Sequence, residues 1–317
     1  TGVITFNLNP DYEVKSTYTF TASVTEGINS VTQGITINLN DIDENTTEAL
    51  TEQKLRDLIE NYKISKGSNN TQDIAYYEEQ IINANTSNIT DMSRLFQGFL
   101  DFNLDISKWD TSNVTNMNYM FYSGEFIVTT MQFNQPLNDW DTSSVTQMIG
   151  MFMSTKAFNQ PLNNWDTSSV TNMSSMFYVA TAFNQPLNDW DTSNVTNMNY
   201  MFRVATAFNQ PLNDWDTSSV TDMSSMFEYT ESFNQPLNDW DTSSVTDMSS
   251  MFEYTESFNQ PLNDWDTSSV TDMSSMFSYA TAFKNQNLSS WNIEMINDHR
   301  MFMISSGIGN REPNWNW

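Results

Sequence analysis

Apolar and polar positions along this chain fall into three textures. Up to residue 44, VITFNLN, STYTFTASVTEG and SVTQGITINLND alternate apolar with polar residues and are rich in Val, Ile, Thr, Tyr and Phe, the pattern of half-buried strands. The turn-like Glu26-Gly27-Ile28-Asn29 separates the second run from the third, which predicts a hairpin. Three strands are too few for a sandwich, and the chain starts without Met, part-way through the first, so this segment reads as a piece of something longer. From Asn45 to Asn85 the period becomes helical: Thr51 is the expected N-cap, and Leu55, Leu58, Ile59 and Tyr62 follow at i, i+3, i+4 and i+7. Lys66-Gly67-Ser68-Asn69-Asn70 breaks that helix, and a second, weaker one runs through Ile74, Tyr77 and Ile81.

The third texture is a repeat, at its plainest FNQPLNDWDTSSVTDMSSMFEYTES, made eight times. Its tryptophans fall at 109, 140, 165, 190, 215, 240, 265 and 291, a period of 25 apart from a first spacing of 31 and a last of 26. Such a period means a stack in which each unit buries its apolar face against its neighbours. Within one unit, Ser219-Val220-Thr221-Asp222 has the form of a capping box. Val220, Met223 and Phe227 then recur at helical spacing, which predicts a short helix over 219–229. Asn209-Gln210-Pro211-Leu212-Asn213 predicts a short extended strand, although its proline removes one ladder donor per repeat. The expected fold class is therefore an α/β repeat, a leucine-rich-repeat-like solenoid of short parallel strands and short helices. It spans 86–302, with a helical N-terminal cap at 45–85, an all-β segment at 1–44 and a C-terminal cap at 303–317. The tail from Asn310, with Trp315 and Trp317, is expected to seal the final coil or to begin a following segment.

Stacking turns each repeat position into a file. Asp110, Asp141, Asp166, Asp191, Asp216, Asp241 and Asp266 form one, and Asp139, Asp189, Asp214, Asp239 and Asp264, interrupted by Asn164, form another. Like charges one strand spacing apart repel by roughly 1 kcal/mol in water, so something must offset them. Asx-turn capping is the preferred explanation. A row of cation sites, with Asp214, Asp216, Asp239 and Asp241 as ligands, is the sharper one. Two asparagine files, one through Asn209 and Asn234 and one through Asn213 and Asn238, suit amide ladders or a polar ligand such as glycan hydroxyls. Tyr178, Arg203, Glu228 and Glu253 stand where the repeat varies most and are candidate contact residues, as is the insertion at 123–130. Tryptophan once per repeat, beside inward Leu and Val, reads as core. His299 reads as a tolerated residue of a terminal coil.

Composition removes whole classes of function. Twelve Lys plus Arg against thirty-nine Asp plus Glu leave a net charge of -27, which repels phosphate backbones and anionic lipid alike. There is no cysteine and one histidine, so thiol chemistry is excluded and acid–base chemistry is poorly served. No apolar run is long enough to insert in a membrane within this segment, and the amino terminus lacks the pattern of a signal peptide.

The string W-D-T-S-x-V-T-x-M-x-x-M-F, present as Trp165 to Phe177, Trp190 to Phe202 and Trp215 to Phe227, resembles the repeat of the BspA-like leucine-rich surface proteins first noticed in mycoplasma lipoproteins. The likeness covers about Thr86 to Phe302. It implies a bacterial surface protein, of a group whose roles are adhesive or unknown, and carries no catalytic residues. This chain departs from the usual L-x-x-L-x-L strand, having F-N-Q-P-L instead. The first 44 residues resemble the last strands of a cadherin-like domain, through Asp11-Tyr12-Glu13 and Asn40-Asp41-Ile42-Asp43-Glu44. That resemblance implies calcium at a domain junction, held by Asp11, Glu13, Asp41, Asp43 and Glu44, a donor set of the hard oxygens calcium prefers.

The expected function is a non-enzymatic binding module of an extracellular, cell-surface bacterial adhesin, holding a host or neighbouring-cell protein or glycan through the exposed solenoid surface. A structural spacer or self-association element, hence a homodimer, is the alternative. An ice-binding solenoid, suggested by recurring Thr and Ser, carries the least weight because a flat T-x-T face is missing.

Overall fold

The structure is a computed structural model that describes residues 17–26, 29–38, 48–124 and 131–315. The chain divides into two compact units, Thr1–Glu48 and Ala49–Trp317. In the first, β1 (Thr17–Glu26) pairs antiparallel with β2 (Asn29–Asn38), from Thr17 opposite Asn38 to Glu26 opposite Asn29. This is the expected hairpin, and its register sets Tyr18, Phe20 and Val24 opposite Ile37, Ile35 and Val31. The expected first strand lies outside the described residues, as do Asp11, Glu13, Asp41, Asp43 and Glu44.

The second unit opens with α1 (Glu52–Ser68) and α2 (Thr71–Ile82). Thr51 caps α1, its hydroxyl accepting from the Lys54 amide at 3.2 Å. The helix runs two residues past the expected break at Lys66, because the residue that ends it is Asn69, in the left-handed region at φ 54°. Leu55, Ile59 and Tyr62 of α1 and Ile81 of α2 are buried in one continuous core with Ile89, Met92, Phe96 and Phe99. The indole N–H of Trp109 donates to the Ile81 carbonyl at 2.8 Å.

From there the chain winds in coils. Parallel bridges join equivalent residues of successive coils, among them Asn197 to Asp222, Asp222 to Asp247 and Asp247 to Asp272. Side chains stack in files inside. Trp190, Trp215, Trp240 and Trp265 lie 6.3 to 6.5 Å apart and within 2° of parallel. Phe202, Phe227 and Phe252 follow at 5.7 Å. From Trp165 to Trp291 each buried indole N–H donates to the Leu carbonyl of the preceding coil, Trp215 to Leu187 at 2.9 Å, so tryptophan enters the core without an orphaned donor.

The helices and strands expected within each repeat are not formed. Among the described residues of 86–302 the parallel pairing between coils is limited to single-residue bridges, and 223–230, in place of the predicted helix, is a run of overlapping turns. The Met226, Glu228 and Thr230 amides donate back three residues, to Met223, Ser225 and Phe227. Ser225 and Tyr229 sit at φ 53° and 58°, the positive-φ position of a type II turn, which no α-helix accommodates. Each of these bonds spans three residues, close to the reach of a helical turn, which is why the spacing of Val220, Met223, Met226 and Phe227 imitates a helix.

The alternate amides do different work. Met223, Ser225, Phe227 and Tyr229 donate to Asp247, Ser249, Met251 and Glu253 of the next coil at 2.8 to 3.0 Å. Four such bonds recur at every junction from Met92 to Tyr279, always with the N–H pointing to the later coil. At the open edge of the first coil, the Arg56 guanidinium of α1 donates to the Asp91 and Ser93 carbonyls at 3.2 and 3.0 Å. At the far end Trp315 stacks on His299, rings 4.3 Å apart, and meets Phe302 edge-on.

Candidate functional site

Three polar surfaces of the coil were candidates, and the structure puts two of them to internal use. Asp216 takes the Ser218 amide and hydroxyl on one carboxylate oxygen at 3.0 and 2.6 Å. Asp110, Asp141, Asp166 and Asp191 do the same with the serine two residues on, and Asp241 accepts the Ser243 amide. These are Asx-turns, as preferred, but they precede turns rather than helices. The serine hydroxyl and then its amide hold Asp141, Asp191, Asp241 and Asp266 below the usual carboxylate range, against a smaller opposing effect of burial. The expected capping box also faces forward: Asp222 accepts from the Ser224 amide and hydroxyl at 2.9 and 2.7 Å instead of reaching back.

The second aspartate file is interleaved with amides. Asn213 donates to Asp239 at 2.6 Å, Asn238 donates to the other Asp239 oxygen at 2.7 Å, and Asn188 donates to Asp214. Donors thus offset the repulsion between carboxylates that the sequence leaves open. Among the described residues no three acidic or histidine side chains converge on a point that could hold a metal, so Asp214, Asp216, Asp239 and Asp241 are not gathered into one ligand set.

Asn209 and Asn234 build a ladder of main chain on side chain. The Asn209 amide oxygen accepts the Asn234 backbone N–H and the Gln235 side chain, both at 3.0 Å, and Asn234 passes the pattern to Asn259 and Gln260 at 2.9 and 3.0 Å. This file replaces the backbone ladder that Pro211 and its equivalents forbid.

The third surface is the turn edge, where four backbone bonds at each junction hold the coils together and leave side chains freer to vary. Arg203 forms a two-pronged pair with Glu228 at 2.7 and 2.8 Å and donates to the Tyr178 hydroxyl at 3.1 Å. Its guanidinium lies over the Tyr178 and Tyr200 rings, 5.3 and 5.6 Å from their centroids. Glu253 accepts from Ser250 at 2.8 Å. Burial pushes its carboxyl up, with the Ser250 bond opposing and the Glu228 charge adding. Tyr229, Tyr254 and Tyr279 continue the edge as a stack, 4.4 Å apart and 7° from parallel. The edge therefore brings together Tyr178, Arg203 and Glu228, with Glu253 one coil on. Sequence reasoning passed over its N-terminal part, where a groove opens beside Tyr119. The available signal was Gly150, a lone glycine at a position that holds serine in most later coils.

A family model described as "Mycoplasma protein of unknown function, DUF285" matches the chain three times, over residues 62–127, 125–228 and 206–315. No curated protein and no solved structure matches.

Proposed function

Because the chain belongs to that family, the Mycoplasma proteins of unknown function, over four fifths of its length, we propose that it is a non-enzymatic binding module of a bacterial cell-surface adhesin. Its turn edge holds a protein or glycan partner outside the cell. One observation carries the reading: this edge varies most from coil to coil, and on it the partly exposed Tyr178 and Arg203, residue types enriched at recognition hot spots, are held in one cluster by the buried Glu228. In this proposal the stack is a leucine-rich-repeat-like solenoid with turns in place of its helices. The first unit is a cadherin-like segment that takes calcium through Asp11, Glu13, Asp41, Asp43 and Glu44 to stiffen a junction. The net charge of -27 sets nucleic acid aside. No helix among the described residues is long and apolar enough to cross a membrane.

Arrays of glycans and extracellular proteins, probed with the full chain in calcium and in EDTA, test this. Binding that Arg203→Ala and Glu228→Ala each weaken supports it, and binding to nothing on either array removes it. The identity of successive copies from Phe208 to Phe277 favours one competing reading, a spacer or self-associating rod. A concentration-dependent dimer in sedimentation, with silent arrays, would establish that instead.

A further inference from the structure

The N-terminal part of the turn edge holds an open groove of about 340 Å³, lined by Arg94, Gln97, Tyr119, Tyr122, Met153 and Ser175. That volume falls within the range of small-molecule sites, about 300–1,000 Å³. Arg94 is its one charged side chain, exposed and, unlike Arg203, in no ion pair among the described residues. Its guanidinium lies over the Tyr119 ring, 5.1 Å from the centroid, and donates to Gln97 at 3.3 Å. Tyr119 and Tyr122 stand 5.9 Å apart at 54°.

Gly150 makes this arrangement possible. A Cβ there would come within 2.5 Å of Tyr119 Cε1, so any other residue forces the ring to move from its present place. The later coils carry Ser175, Tyr200, Ser225, Ser250 and Ser275 at this position, and the space beside Tyr119 belongs to the one coil that has glycine.

We infer that this groove binds the carboxylate-bearing sugar ring of an acidic glycan. A planar guanidinium held against an aromatic face is preset to grip a carboxylate through two parallel N–H bonds. Aromatic side chains offer an apolar surface to the C–H face of a pyranose, while the Gln97 amide and Ser175 hydroxyl suit its hydroxyl rim. A peptide carboxylate would use Arg94 and leave the tyrosines and Ser175 without a role. The inference rests on the adhesive reading above and narrows its partner to one chemical class at one place.

The test is saturation-transfer NMR of the full chain with glucuronic acid, glucose and acetate as probes. Glucuronate is expected to bind in the millimolar range and glucose to bind roughly tenfold more weakly, the difference one charge-assisted contact makes. Arg94→Gln should bring glucuronate down to the level of glucose. Gly150→Ser, restoring the common residue, should abolish both; if that variant fails to fold, Tyr119→Leu tests the same contact. No saturation transfer to glucuronate, an unchanged affinity in Arg94→Gln, or acetate competing as well as glucuronate would each overturn the proposal. Array binding that survives Arg94→Gln would leave the adhesive reading intact and remove this one.

Discussion

Each coil has two halves that solve the same problem by opposite means. From Phe208 to Val220 the stacking is done by side chains: Asn209 takes the next coil's backbone amide, Trp215 reaches back to Leu187, and Thr217 donates to the Asp241 carbonyl at 2.9 Å. From Met223 to Tyr229 it is done by the backbone, through four amides that need no particular side chain. The first half is accordingly monotonous, and the second carries Tyr178, Arg203, Glu228, Glu253 and Ser278 at one equivalent position. Freedom to vary follows from which atoms hold the stack together, and recognition is best sought where the main chain does so.

That contrast can be broken on either side. The largest effect is expected at the side-chain half. Asn209→Ala strips the acceptor from the Asn234 amide and the Gln235 side chain, at a cost of about 2 kcal/mol in chemical denaturation, whereas Asn209→Asp retains an acceptor and should lose far less. Equal losses from the two would show that the ladder is not what Asn209 supplies. A smaller effect of opposite sign is expected at the backbone half. Val204 is β-branched and held at φ 60°, so Val204→Gly should leave stability unchanged or raise it by less than about 1 kcal/mol. A clear loss there would mean that the turn edge depends on its side chains after all.

The smallest effect concerns pH. Asp191 is held below its ordinary range by the Ser193 hydroxyl and amide, so its contribution is present above the unfolded value and is lost as pH falls through the lower folded one. Asp191→Asn keeps the acceptor without the charge. Its thermal midpoint should therefore fall less on acidification below about pH 4 than that of the parent chain. Because the side chain is exposed, the difference will be modest. Identical profiles would place the acid sensitivity elsewhere.

Much of this was legible in the residues, for a physical reason. The hairpin, the two helices with their Thr51 cap and the Trp, Met, Leu and Phe core all follow from apolar spacing and local capping, which act over a few residues. The Asx-turn use of Asp216 was legible too, because serine follows it at a fixed distance. The turns of 223–230 were not. Positive φ at Ser225 and Tyr229 leaves no mark when the residues are not glycine or asparagine, and apolar residues three and four apart suit these turns as well as a helix. The Asn209 file was readable as a ladder, yet its donor is the next coil's backbone, a partner set by Pro211 two residues on. The groove at Tyr119 depends on one missing Cβ in one coil, a departure too small to stand out from a repeat with other irregularities.

The axial bonds of the turn edge have a direction. Peptide units 222–223, 224–225, 226–227 and 228–229, with their counterparts in the other coils, all point their N–H groups toward the later coil. Aligned peptide dipoles add, as they do along a helix. Here four such lines run side by side through the stack against one opposing line, the Thr221 amide on the Thr196 carbonyl and its counterparts, so the stack keeps a net polarity, negative at its first coil and positive at its last. The Arg56 guanidinium on the first coil's carbonyls sits at the negative end as a built-in counter-charge. Duplicating a 25-residue unit would lengthen the rod without altering either terminus, and every added coil would inherit the same sense.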